Sequence, residues 1–180
     1  MKLTVSKALA ATQQLDVAIE LLFRDREPLS VRTLASAAHG LLSDLVEHKN
    51  PGSSWREKLI KDSGLPRKQA LNVLHAASNF LKHADRDPND DLSFEEEEND
   101  HVIFFATLEC GELSHPLSYN MQAFQVWYMA CHPEQIGIAA EPVRKAMSAL
   151  PELSAQDRQV QLARGMEFLK AVLARNPHAA

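Results

Sequence analysis

Apolar residues recur three and four positions apart in segment after segment of this chain, and that period of 3.6 restricts it to helices. Ala8, Ala11, Leu15, Ala18, Ile19 and Leu22 make one such stripe, opened by a cap at Thr4 or Ser6 and ending near Arg24. A second helix, capped by Ser30, carries Val31, Leu34, Ala38, Leu41, Leu42 and Leu45 and stops before the Asn50-Pro51-Gly52 turn. Ser54 followed by Glu57 reads as a capping box for a short third helix that ends near Gly64. Pro66 then opens a fourth, whose core side is Ala70, Leu71, Leu74, Ala77, Leu81 and Ala84.

Asn99 or Asp100 is expected to cap a fifth helix bearing Val102, Ile103, Phe105, Ala106 and Leu108. Ser118 opens a sixth, with Met121, Phe124, Trp127 and Tyr128 on its apolar side. Pro133, Pro142 and Pro151 interrupt the next stretch, and Ser154 with Asp157 starts a last helix. No alternating pattern is long enough for a sheet. The expectation is an all-α bundle of about six to eight helices, one domain over 1–180, with an acidic loop at 85–100 and a C-terminal helical extension at 133–180.

Composition narrows the function classes. Hydrophobic residues are 45% and charged residues 24%, as in ordinary globular chains. No apolar run approaches the roughly 20 residues that span a bilayer, and Gln13, Gln14 and Asp16 break the first apolar stretch too early for a signal peptide. A cytoplasmic protein without membrane contact is expected. Cys110 and Cys131 match no zinc spacing and read as small buried hydrophobes. The net charge of −5 is uneven: residues 85–100 hold nine acids against Arg86 alone, so the rest of the chain is +3. Arg56, Lys58, Lys61, Arg67 and Lys68 form a mildly basic stretch. With six glycines and no GxSxG turn, neither a phosphate-cradling loop nor a serine nucleophile elbow is present.

The best candidate site is on the fourth helix. His75, Asn79 and His83 stand at i, i+4 and i+8, a polar stripe along a core-facing helix, bordered by Asn72 and Lys82. Histidine exchanges protons near neutral pH, Asn79 offers both donor and acceptor, and Lys82 offers charge to a phosphate. The same residues also fit satisfied polar groups at a helix–helix contact, with His83 balancing the helix C-terminus.

Asn79-Phe80-Leu81-Lys82-His83 resembles the Arg-Asn-x-x-x-His signature of the HEPN superfamily of helical bundles, and Asn79 to Pro88 resembles a motif of bacterial proteins without an assigned role. Many HEPN proteins are metal-independent RNases; others are non-catalytic modules that bind nucleotides or partners. The resemblance implies a homodimer whose two protomers face each other across one site. In an RNase of this type His83 would activate the RNA 2′-hydroxyl or protonate the leaving oxygen, and Asn79 would hold that geometry. The arginine position is Ser78 here, which removes the main stabiliser of charge on phosphorus. Lys82 replaces it only as a point charge.

The acidic loop carries a second pattern. Asp85, Asp87, Asn89, Asp91, Ser93 and Glu96 occupy positions 1, 3, 5, 7, 9 and 12 of a twelve-residue window, the ligand spacing of an EF-hand calcium loop. Asp90 at position 6 and Pro88 at position 4 depart from it, because the turn there wants glycine. His39, His101, His115 and His132 form no paired metal motif, and Trp127 with Tyr128 reads as core.

The sequence reading is therefore a non-catalytic, HEPN-like interaction or regulatory module of bacterial type, with no cofactor, a homodimer, and a protein partner. Its first alternative is a ribonuclease acting on RNA through His83, Asn79 and Lys82. The second is a calcium or other divalent-cation binder using Asp85, Asp87, Asn89, Asp91 and Glu96.

Overall fold

The computed structural model describes residues 2–83, 85 and 88–176. Among these it holds nine α-helices, one short 3₁₀ turn and no strand, an all-α bundle. Ser6 accepts a hydrogen bond from the Leu9 N–H and opens α1 (Lys7–Phe23). A short connection through Asp25 and Glu27, both at positive φ, turns the chain into α2 (Pro28–Lys49). Pro28 is the first residue of that helix, where its missing N–H costs nothing, so Ser30 lies inside the first turn rather than capping it. The two helices pair along their length as a hairpin.

Ser54 caps α3 (Trp55–Asp62) as its spacing to Glu57 predicts, and Gly64 at φ +65° ends that segment before α4 (Arg67–Phe80). The fourth helix is shorter than its periodicity suggests. Leu81 is its C-cap and His83 lies beyond it, so the i, i+4, i+8 stack survives only for His75 and Asn79. Two features weaken the helix end. Its only buried residues are Ala70, Ala77 and Ser78, too little apolar area to hold another turn. The Ser78 hydroxyl also donates to the His75 carbonyl at 3.1 Å, competing with the backbone ladder. Ala84, expected on the core side, lies outside the described residues.

Helix α5 (Glu98–Glu112) starts one residue before the expected caps, and both Asn99 and Asp100 are buried in its first turn. Ser118 caps α6 (Tyr119–Cys131) as expected. The region of three prolines forms α7 (Pro133–Ile136) and α8 (Glu141–Ala149), then the 3₁₀ turn at Leu153–Ala155. Asp157 caps α9 (Arg158–Arg175).

The core is built on α1, α2, α5, α6 and α9. Leu15 and Ile19 of α1, Leu42 of α2, Ile103 of α5, Phe124 and Trp127 of α6 and Leu169 of α9 are wholly or almost wholly removed from solvent. Each such side chain contributes about 1.5–3 kcal/mol relative to exposure. The Trp127 indole N–H donates to the Gln161 carbonyl at 2.7 Å, which ties α6 to α9. Cys110 and Cys131 are free, buried thiols. No described helix is long and apolar enough to cross a membrane. Helix α4 stands apart from this core, resting on α2 and α3, and the space it leaves between α2 and α5 is a cavity.

Candidate functional site

Two helices bring polar residues to that cavity at regular spacing. On α2, Arg32, Ser36 and His39 line it at i, i+4 and i+7, and Ser43 continues the same polar file at i+11. On α5, Glu98, Val102, Phe105 and Glu109 follow the same steps on the facing side. The cavity has a volume of about 400 Å³, within the range of small-molecule sites. Its α2 wall is Arg32, Ser36 and His39; its α5 wall is Glu98, His101, Val102 and Phe105. Leu74, His75 and Ala77 of α4 close a third side, and Leu92 to Phe94 lie across it.

Arg32 is 4% exposed, so its charge is held out of water by design of the fold. One terminal nitrogen, Nη2, donates to the Glu98 carboxylate at 2.6 Å, and the guanidinium lies over the Phe94 ring at 5.0 Å. Its Nε is buried without a partner. His39 is 8% exposed, and its Nε2 is likewise without a hydrogen-bond partner. The nearest carboxylate oxygen, Glu109 Oε1, is 3.8 Å away, too far for a hydrogen bond. Glu109 is fully buried; its Oε1 accepts from the Ser43 hydroxyl at 2.8 Å and the Arg56 N–H at 3.3 Å.

The electrostatics keep the imidazoles neutral. Burial, then the positive charge of Arg56 and the nearby His75, pulls the His39 pKa down to about 4. Burial also lowers His75, helped by Arg56 and Lys82, and lowers His101, helped by His132. Burial raises the Glu109 carboxyl above its ordinary value despite its hydrogen bonds. The His39 imidazole that faces Glu109 is therefore neutral at neutral pH. Among the described residues, Arg32 is the cation of the cavity wall, Glu98 is the anion, and the rest is imidazole, hydroxyl and hydrocarbon.

The residues singled out in the sequence divide around this site. His75 is half-buried and lines the cavity, while Asn72 and Asn79 on the same helix are exposed. Lys82 is exposed, and His83 Nδ1 is 4.0 Å from Asp85 Oδ1 in the segment after the helix. His75 and His83 are thus not on one helical face. Of the acidic-loop ligands, Asp85, Asn89, Asp91 and Glu96 are exposed, and Asp87 lies outside the described residues. Ser93, the ninth position of that window, lines the cavity instead. Among the described residues no three His, Cys, Asp or Glu side chains are grouped closely enough to hold a metal ion.

Arg32, Glu98 and Glu109 were not apparent as site residues from local motifs. The 32, 36, 39, 43 spacing, a polar file on a helix that buries most of its faces, is a signal for Arg32; Glu98 and Glu109 have no such signal.

A second buried network lies behind the cavity. Asp100 pairs with Arg158, His132 Nε2 is 3.4 Å from Asp100, and His101 Nδ1 is 2.8 Å from the Tyr128 hydroxyl. Tyr128 in turn donates to Gln135 at 3.2 Å, so α5, α6, α7 and α9 share one polar seam. No protein-family model, curated protein or solved structure matches the chain.

Proposed function

We propose that this chain is a non-catalytic, HEPN-like binding module of the regulatory kind, working through the cavity between α2, α4 and α5. One observation carries the reading: Arg32 and His39, both more than nine-tenths buried, stand in the wall of a cavity of about 400 Å³ with polar atoms that have no partner. A buried polar atom without a partner costs about 1–3 kcal/mol, and a ligand that meets it recovers that energy on binding.

The ribonuclease alternative has less geometric support. Asn79 is exposed, His83 is off the helix beside Asp85, and Ser78 is buried where the signature has arginine. A homodimer belongs to the proposal. Leu9 and Val17 of α1 and Leu29 of α2 are exposed, and Leu21, Leu29 and Leu34 border an open depression on the hairpin.

A screen of small apolar fragments by protein NMR tests the reading. Fragments that shift the His39 and His75 ring signals, and cease to do so in Ala77→Phe, support it. No fragment reaching those signals in the folded wild type would remove the cavity as the working site. Incubation with mixed RNA in excess EDTA, with His83→Ala alongside, tests the alternative: cleavage lost in the variant would replace the binding reading with a metal-independent RNase.

A further inference from the structure

We infer that the cavity is a seat for a small organic monocarboxylate with an apolar body, whose carboxylate takes the place of Glu98 on Arg32. The inference rests on the cavity being the working site and names the chemistry it accepts.

Arg32 supplies the anchor. A guanidinium presents a planar fork that matches a carboxylate through two parallel hydrogen bonds. Here Nη2 holds Glu98 while Nε, on the same side chain, is buried and unpartnered. The present partner is replaceable. Arg32 is 5% exposed in its side chain, but Glu98 is 51% exposed, so Glu98 reaches inward from the surface and regains water when it leaves. Release of a hydrated carboxylate is far less costly than release of a buried one.

The rest of the wall defines the body of the ligand. Leu74, Val102 and Phe105 give it hydrocarbon, and Phe94 already stacks against the guanidinium. His39 and Ser36 offer hydrogen-bonding groups without charge. The charge count selects a monoanion. One carboxylate exchanged for another leaves Arg32 neutralised once. A phosphate dianion would leave an excess negative charge in a cavity whose imidazoles are held neutral by burial. Glu95, Glu96 and Glu97, just before Glu98, further oppose a polyanion such as RNA on this face.

Titration calorimetry on the full chain tests this with octanoate and phenylbutyrate against octanamide and phenylbutyramide, the uncharged isosteres. The acids should bind about tenfold tighter than the amides. Arg32→Met should erase that preference. Glu98→Gln, a change at a half-exposed position that leaves the core intact, should raise acid affinity about threefold and leave amide affinity unchanged. A response to octanoate alone would mark the body as a flexible chain, and to phenylbutyrate alone as an aryl group; either supports the inference. Equal binding of acids and amides, with no effect of Glu98→Gln, would overturn the carboxylate inference while leaving the cavity as a binding site. Binding of neither class, when other fragments do occupy the cavity, would overturn it as well.

Discussion

Asp100, fully buried on α5, holds the guanidinium of Arg158 on α9 through two hydrogen bonds of 2.7 and 2.8 Å. The two residues are 58 positions apart in sequence, and Arg158 also lies over the Trp127 ring at 5.4 Å. This pair joins the first turn of α9 to the first turn of α5. Asp100→Asn keeps the shape and removes the charge, leaving a guanidinium that is only 20% exposed without its carboxylate. Breaking a buried pair from one side costs about 3–5 kcal/mol, and this partly exposed site belongs at the lower end. Urea unfolding followed by circular dichroism should show the midpoint fall by an amount worth about 3 kcal/mol; an unchanged midpoint would mean that water already serves Arg158.

Glycine positions give a paired prediction of opposite sign. A Cβ at Gly165 of α9 would lie 2.5 Å from the Phe23 ring and 2.9 Å from the Trp127 ring. Those rings are buried and meet edge to face at 5.1 Å, so neither yields easily. Alanine gains about 1 kcal/mol of helix propensity over glycine, but overpacking costs about 1–3 kcal/mol. Gly165→Ala should therefore lower the melting temperature. Gly40 lies inside α2 with nothing within 4 Å of its would-be Cβ, and Gly40→Ala should raise it. A rise for both in thermal denaturation would show that α9 shifts away from α6 at little cost.

His39 makes a pH prediction with a definite sign. Its folded-state pKa, about 4, is below the ordinary 6.5, so the folded protein resists the proton that the unfolded chain accepts. The stability it contributes is present above pH 6.5 and is lost as the pH falls towards 4, by about 3 kcal/mol in all. His75 and His101 are shifted the same way. Glu109, shifted upward, acts in the opposite sense: its contribution is present below 4.5 and is lost as the pH rises through its raised value. Urea midpoints measured from pH 7 to pH 4 should fall more steeply for the wild type than for His39→Gln. Parallel curves would mean that His39 gains water or a partner when protonated.

The sequence carried the helices well because their causes are local. Ser6, Ser54 and Ser118 cap the helices that their spacing predicts, since a hydroxyl and an N–H three residues later are fixed by the backbone itself. The end of α4 was less legible. Leu81 fits the apolar period, but the period does not reveal that the face it belongs to meets only a few small residues, so the helix stops at Phe80. The start of α2 was decided by Pro28 rather than Ser30, and Asn99 and Asp100 proved to be buried partners of Pro28 and Arg158 rather than caps.

By itself, then, the amino-acid order determined an all-α bundle, the core residues of α1, α2 and α6, and the burial of both cysteines and of Trp127, because periodicity and side-chain volume act over one or two turns. Only the tertiary structure decided that Arg32, His39, His75 and Glu98 share one cavity, and that Asn79 and His83 point elsewhere. Arg32 and Glu98 are 66 residues apart. Their meeting depends on how α4 rests against α2 and on the gap that small residues such as Ala77 leave between α2 and α5. That gap is a property of three packed helices, and no local pattern in any one of them encodes it.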